Sequence, residues 1–293
     1  MPFGIKILDT WVNPNPPEIS KGRIASDYWL FPKEVDRLER GVTEEEFIEE
    51  MDASEVEKGL LCASPKDPFR EAYSKVSLGS DLNYALKLAE KYPDRFSVAV
   101  RVQPRDNIQA LRNLEYLVKN HNVVAAKVSA HSIGAPYTDK MYWPVYTKCI
   151  ELGIPITVNV GFPAPKTRAE YQNPIYLDEV CETFPELRIV MTHIGDPWVD
   201  TVVALLLRWP NLFLMTSAFY PKYYPQKLLD FMNTRGGDKV MFASDYPLLS
   251  MRRCVAEVQR LPLREHLWPK FLRENAAKVF DWNARVKSGA PFD

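Results

Sequence analysis

Short apolar, β-branched runs recur along the chain, and the stretches between them return apolar residues every three or four positions. The runs are residues 5–11, 58–63, 96–102, 123–128, 155–160, 188–193, 212–216 and 240–244. They are near-continuous rather than alternating, as strands buried on both faces of a parallel sheet require. Between them the period is helical. Leu82, Ala85, Leu86 and Ala89 share one face, as do Ile108, Leu111, Leu114 and Leu117. Thr43 to Glu46, ahead of Phe47 and Ile48, reads as a capping box. An apolar helix through Val202, Leu205 and Leu206 should stop before Pro210, and further helices are expected over 252–260 and 269–280.

Eight strands, each followed by a helix, predict a (β/α)8 TIM barrel formed by residues 1–293 as a single domain. Alternation alone also permits a doubly wound open sheet, but no G-x-G-x-x-G follows the first strand. The connection 12–42 is too long for a simple link. It carries Pro14, Pro16, Pro17 and Pro32 and the aromatics Tyr28, Trp29 and Phe31, a composition that predicts a packed lid over the first strand's mouth.

Composition narrows the class. The 293 residues, 46% hydrophobic, can bury a large core without disulfides or metal. A formal net charge of −1 supplies no field to recruit nucleic acid or an anionic membrane, so a small-molecule substrate is expected, with a homo-oligomer compatible. Cys62, Cys149, Cys181 and Cys254 are far apart and lie in apolar or helical stretches, which predicts buried free thiols in a reducing compartment. The start MPFGIKILDT has no signal-peptide pattern and no apolar run is long enough to span a membrane, so a cytoplasmic location is expected.

In a barrel, reactive groups collect where strands end, because the loops there converge on one mouth. The strand ends offer Asp9, Trp11 and Asn13; Cys62 to Ser64; Arg101 and Gln103; Lys127; Asn159; His193; Thr216 and Ser217; and Ser244, Asp245 and Tyr246. An imidazole and a carboxylate facing one cavity make a proton-transfer pair, which assigns His193 and Asp245 the catalytic roles. Lys127 ends an apolar strand and is suited to pair with Asp245 or to bind a substrate carboxylate. Asn13 and Asn159 bring donor–acceptor amides that orient a carboxylate, carbonyl or water. With Trp11 they line the substrate site, and Arg168, beside Lys166, is placed to clamp an anion. Asp9, His121 (at a helix end) and His266 read as structural.

Five segments in order, MDASEVEKGLLCAS, YPDRFSVAVRVQP, LRIVMTHIGDPW, VMFASDYP and ENAAKVF, give the chain a resemblance to a known family. It resembles the amidohydrolase-related group of metal-dependent barrel enzymes, in the branch of aminocarboxymuconate-semialdehyde and resorcylate-type decarboxylases. The resemblance implies a His-x-His at the end of strand one, a His at strand five or six and an Asp at strand eight, together holding a divalent ion. Here Trp11 and Asn13 stand at the His-x-His, Asn159 stands at strand five, and only His193 and Asp245 remain. His131 is a further nearby donor candidate. Tryptophan cannot ligate a metal and a neutral amide is a poor zinc ligand. The expectation is therefore no cofactor and a dismantled metal site, the other reading being a hard ion such as Mg2+ or Ca2+ on Asp245 and amide oxygens.

The activity implied is hydrolysis or decarboxylation of a small organic acid or cyclic ester, and the residues suit both. The alternative from another class is a catalytically inactive barrel serving as a binding or partner subunit.

Overall fold

The computed structural model describes residues 4–20, 35–65, 79–163 and 167–282. Within them the strands are β1 (Ile7–Val12), β2 (Val56–Ser64), β3 (Ser80–Asp81), β4 (Phe96–Arg101), β5 (Val123–Val128), β6 (Ile156–Asn159), β7 (Ile189–Thr192), β8 (Leu212–Met215) and β9 (Val240–Met241). All pair in parallel, in the order β1-β2-β4-β5-β6-β7-β8-β9, with β3 added to the end of β2. The last strand returns to the first. Thr10 N–H donates to the Phe242 carbonyl (3.1 Å), Asp245 N–H to that of Trp11 (3.0 Å) and Asn13 N–H to that of Tyr246 (2.7 Å). These bonds close the expected barrel, and the eight predicted runs are its staves.

Two apolar layers hold it. Ile7, Val98, Val123, Ile156 and Ile189 face the surrounding helices, while Leu8, Leu60, Cys62, Ala99, Val190, Phe213 and Met241 fill the lumen. Strands covered on both sides bury every residue, which is why they read as continuous apolar runs. Ala276, Val279, Phe280 and Trp282 pack against the lumen residues, and Lys58, near the start of β2, donates to the Trp282 carbonyl. This segment therefore plugs the end opposite the mouth. The helix Glu44–Ala53 carries the predicted capping box, with Thr43 and Glu46 each accepting from the other's backbone N–H.

β1 contains an irregularity that matters for the site. Its register against β2 shifts between Asp9 and Val12. Leu8 lies in the lumen, and strict alternation would send Thr10 and Val12 there. Instead Trp11 joins the lumen cluster and Val12 the outer one. A bulge thus rotates Trp11 and Asn13 inward.

Several strands end earlier than the apolar runs. β7 stops at Thr192 because His193 and Ile194 take φ of 66° and 62°, followed by Gly195 at 83°; Asp245 has φ 61°. Non-glycine residues in this region are strained by roughly 1–3 kcal/mol each and cluster at functional sites. Of the expected lid, residues 21–34, including Tyr28, Trp29, Phe31 and Pro32, lie outside the described residues. Pro17–Ser20 and Val35–Arg40 form short helices on either side, and Arg37 donates to the Pro247 and Leu248 carbonyls in the loop after Asp245. Among the described residues no helix is long and apolar enough to cross a membrane. All four cysteines are free and buried.

Candidate active site

The mouth is assembled from the C-terminal ends of β1, β5, β6, β7 and the segment after β9. Asn13 Nδ2 donates to Asp245 Oδ1 at 2.9 Å, and the Trp11 indole N–H adds to the hold on that carboxylate. The indole also meets the His193 ring edge to face, 5.0 Å between centroids, and the Lys127 ammonium rests 4.0 Å over its face. Trp11, Lys127 and Asp245 are 2%, 5% and 4% exposed. Lys127 is thus a desolvated cation in a pocket that also holds a carboxylate. His193 Nδ1 shares a 2.8 Å hydrogen bond with the Ser217 hydroxyl and lies 3.9 Å from Asp245 Oδ2. The pair converges without bonding directly.

These surroundings set the proton affinities. Burial, then the Lys127 charge, pulls His193 down to about 3, so its imidazole is neutral at physiological pH. Burial pushes Asp245 up to about 6, against the pull of Asn13, Lys127 and Trp11. The usual order of the two groups is inverted, and on acidification Asp245 takes the proton first. In β1, burial raises Asp9 to about 7 against the pull of the Ser244 side chain and of the Ser244 and Trp11 N–H groups.

Asn159 flanks this cluster. Its Oδ1 accepts from the Ser129 hydroxyl (3.0 Å) and its carbonyl from Tyr137 OH (2.6 Å), so it is held firmly at the rim. His131 follows β5 in the short helix Ala130–Ile133, and its Nδ1 lies 2.5 Å from Gln172 Oε1. Gln172 Nε2 donates to the Gly161 carbonyl (2.8 Å), so Oε1 must accept and His131 Nδ1 must carry the hydrogen. Gly161, φ 91°, brings the loops after β6 and β7 together; a Cβ there would meet the Asp196 carbonyl oxygen at 2.8 Å.

Of the residues singled out from sequence, Trp11, Asn13, Lys127, His193 and Asp245 meet at one mouth and Asn159 borders it. Arg168 does not join them: its side chain is largely exposed and pairs with Glu170 at 3.2 Å. Lys166 lies outside the described residues. His121 caps the helix Ile108–Asn120 as expected and also contacts Glu90 Oε1 at 3.0 Å. Ser217 stands among the strand-end residues of the sequence, but its bond to His193 is a matter of the fold; Ser129 and Gln172 carry no signal in sequence.

A family model described as amidohydrolase matches residues 61–282, most of the chain. The chain belongs to the amidohydrolase family. This amidohydrolase is 21% identical over 239 residues to γ-resorcylate decarboxylase of Polaromonas sp. (strain JS666 / ATCC BAA-500), a match covering 66% of the chain and 72% of the relative. Among solved structures it is similar to an uncharacterized TIM-barrel protein of Bordetella bronchiseptica, with TM-score 0.74, 21% identity and coverage of 94% and 98%. It is also similar to dihydroxybenzoic acid decarboxylase of Polaromonas sp. JS666, solved with manganese and 2-nitroresorcinol, with TM-score 0.67, 17% identity and coverage of 93% and 96%. The amidohydrolase is an enzyme of the hydrolase or carbon–carbon lyase class, and an inactive binding subunit is not favoured.

The manganese bound in that decarboxylase overturns the expectation of a cofactor-free chain and points to a metal cofactor. The donor set here remains sparse. Among the described residues no group of three or more His, Cys, Asp or Glu is placed to hold an ion, and Asp245 Oδ1 is already engaged by Asn13. The residues present do not match a closed set of protein ligands.

Proposed function

We propose that this amidohydrolase decarboxylates a small aromatic or unsaturated carboxylic acid. The observation that carries the reading is the convergence of a buried cation, Lys127, with a carboxyl group, Asp245, whose proton is retained to about pH 6. Lys127 anchors the substrate carboxylate by a charge-assisted hydrogen bond. Protonated Asp245 delivers its proton to the carbon bearing that carboxylate; the carbon–carboxylate bond then breaks, its electron pair returns to the substrate, and carbon dioxide leaves. Asp245 regains a proton from solvent. His193, neutral and held by Ser217, accepts or donates a hydrogen bond to a substrate hydroxyl without competing for the proton. The names of the relatives support an aromatic acid.

The test is incubation with γ-resorcylate and a panel of hydroxylated benzoic acids and lactones, with and without added manganese. Release of labelled carbon dioxide and incorporation of one deuterium from D2O at the vacated carbon are expected. Ring opening of a lactone with no carbon dioxide from any acid would replace decarboxylation by hydrolysis.

A further inference from the structure

We propose that Asp9 is a positioning residue of the active site, stitching the first strand to the segment after the last so that Trp11 and Asn13 meet Asp245. Only its test by turnover rests on the decarboxylase reading; its geometry does not.

The need for Asp9 arises from the bulge in β1. Where the register shifts between Asp9 and Val12, a ladder loses its regular succession of partners. The closing bonds between the chain's two ends run from Thr10 to Phe242, from Asp245 to Trp11 and from Asn13 to Tyr246. The N–H groups of Trp11 and Ser244 lie between these bonds and take no carbonyl among them. Both are buried, and a buried N–H without an acceptor bears the full cost of leaving water. Asp9 Oδ1 supplies the acceptor for both, at 3.2 Å from Trp11 N and 3.0 Å from Ser244 N.

One side-chain oxygen therefore substitutes for two missing ladder carbonyls. The two residues it grips lead into the groups that meet: Trp11 is itself in the mouth and precedes Asn13 by two positions, and Ser244 directly precedes Asp245. The 2.9 Å bond between Asn13 and Asp245 spans two segments 232 residues apart, and Asp9 joins the same two segments one step below. Asp9 is fully buried and reaches no solvent, so its part is played through these strands and not on substrate. Its other oxygen, Oδ2, has no hydrogen-bond partner among the described residues. The stitch needs one acceptor of the right reach, which an amide oxygen also supplies.

The experiment compares Asp9→Asn, which keeps that acceptor, with Asp9→Leu, which removes it at similar volume. Crystal structures should show the Asn13–Asp245 bond kept in Asp9→Asn and opened beyond hydrogen-bond distance in Asp9→Leu. On an active substrate, Asp9→Leu should lower kcat by 10-fold or more with KM within about threefold, and Asp9→Asn should restore most of kcat. If Asp9→Leu does not fold, Asp9→Ser takes its place: a shorter hydroxyl that cannot bridge both N–H groups should give a partial loss. An unchanged Asn13–Asp245 bond in the variant lacking the acceptor overturns the proposal, as does an Asp9→Asn enzyme as impaired as the leucine form. The crystallographic arm decides even if no substrate is found, so failure of the stitch and failure of the decarboxylase reading are separable.

Discussion

Asn13 and Asp245 are joined by a 2.9 Å hydrogen bond across 232 residues of sequence. The indole of Trp11 is directed at the same carboxylate, which follows β9. Trp11 and Asn13 thus present two neutral donors to Asp245. Asn13→Ala should release the charged form of that carboxylate. A hydrogen bond to a charged group contributes roughly 1.5–3 kcal/mol, so the Asp245 titration should rise by about one to two pH units. Carbon-13 NMR of the aspartate carboxyls reads this directly, and a shift below a few tenths of a unit contradicts the assigned role.

Turnover should follow the proton on Asp245. Above about pH 6 the protonated fraction falls, and kcat/KM for decarboxylation should drop about tenfold per pH unit. His193, held down to about 3, contributes no limb between pH 5 and 8. Asp245→Asn should remove the limb and lower kcat by roughly 10²–10⁴-fold. A profile that is flat from pH 5 to 8 is the contrary result.

Lys127 is expected to act in binding. Lys127→Met keeps the apolar stem over Trp11 and removes the charge, so KM for a carboxylate substrate should rise roughly 10- to 100-fold with a smaller change in kcat. The same variant should raise the pKa of His193, because the Lys127 charge helps depress it, and let Asp245 rise further for the converse reason. Steady-state kinetics with the acid, beside competitive inhibition by its unreactive methyl ester, separate the two effects, since binding of the ester should weaken little.

The buried Asp9 gives a stability signature with a definite sign. Its folded-state proton is retained to about pH 7, whereas an unfolded aspartate loses it near 3.8. Its contribution is fully present below pH 4 and is lost as pH rises toward and through 7. A displacement of about three pH units corresponds to at most about 4 kcal/mol. Asp9→Asn has no such proton, so its stability relative to wild type should improve by up to that amount between pH 4 and 7.5. Urea melts at several pH values check the slope; a difference independent of pH contradicts it.

Gly161 tests the rim. Gly161→Ala combines a positive φ with a Cβ 2.8 Å from the Asp196 carbonyl oxygen and 3.0 Å from Gly195 atoms, all backbone. The loop after His193 must yield, and a misplacement near 1 Å costs about 10²-fold in rate. Activity should fall by about that factor while the far-ultraviolet circular dichroism stays that of the wild type.

The barrel was legible because its strands are buried on both faces, and that leaves a mark in every run from residue 5 to residue 244. The strand ends were less so: His193 and Asp245 continue apolar runs in sequence but leave them in space through positive φ, a local strain that composition does not record. Their convergence was readable from position. The inverted proton affinities were not, since these depend on burial and on Lys127, which comes from another strand. Trp11 was recognised as unable to bind a metal, yet its contacts with Lys127, His193 and Asp245 require the bulge that turns it inward. Arg168 shows the opposite limit, a charge whose loop carries it to solvent.

Because the barrel closes between its first and last staves, the reactive cluster has a place in time as well as in space. During synthesis Trp11 and Asn13 emerge early and wait for more than two hundred further residues before Asp245 leaves the ribosome. Until then the first strand has one open edge, the lumen lacks its final wall, and the Asp245 carboxyl does not exist beside its donors. Contacts of such sequence separation form late in folding. Catalytic competence should thus switch on in one late step, and partly made chains, however well their early strands have paired, should be inert toward substrate.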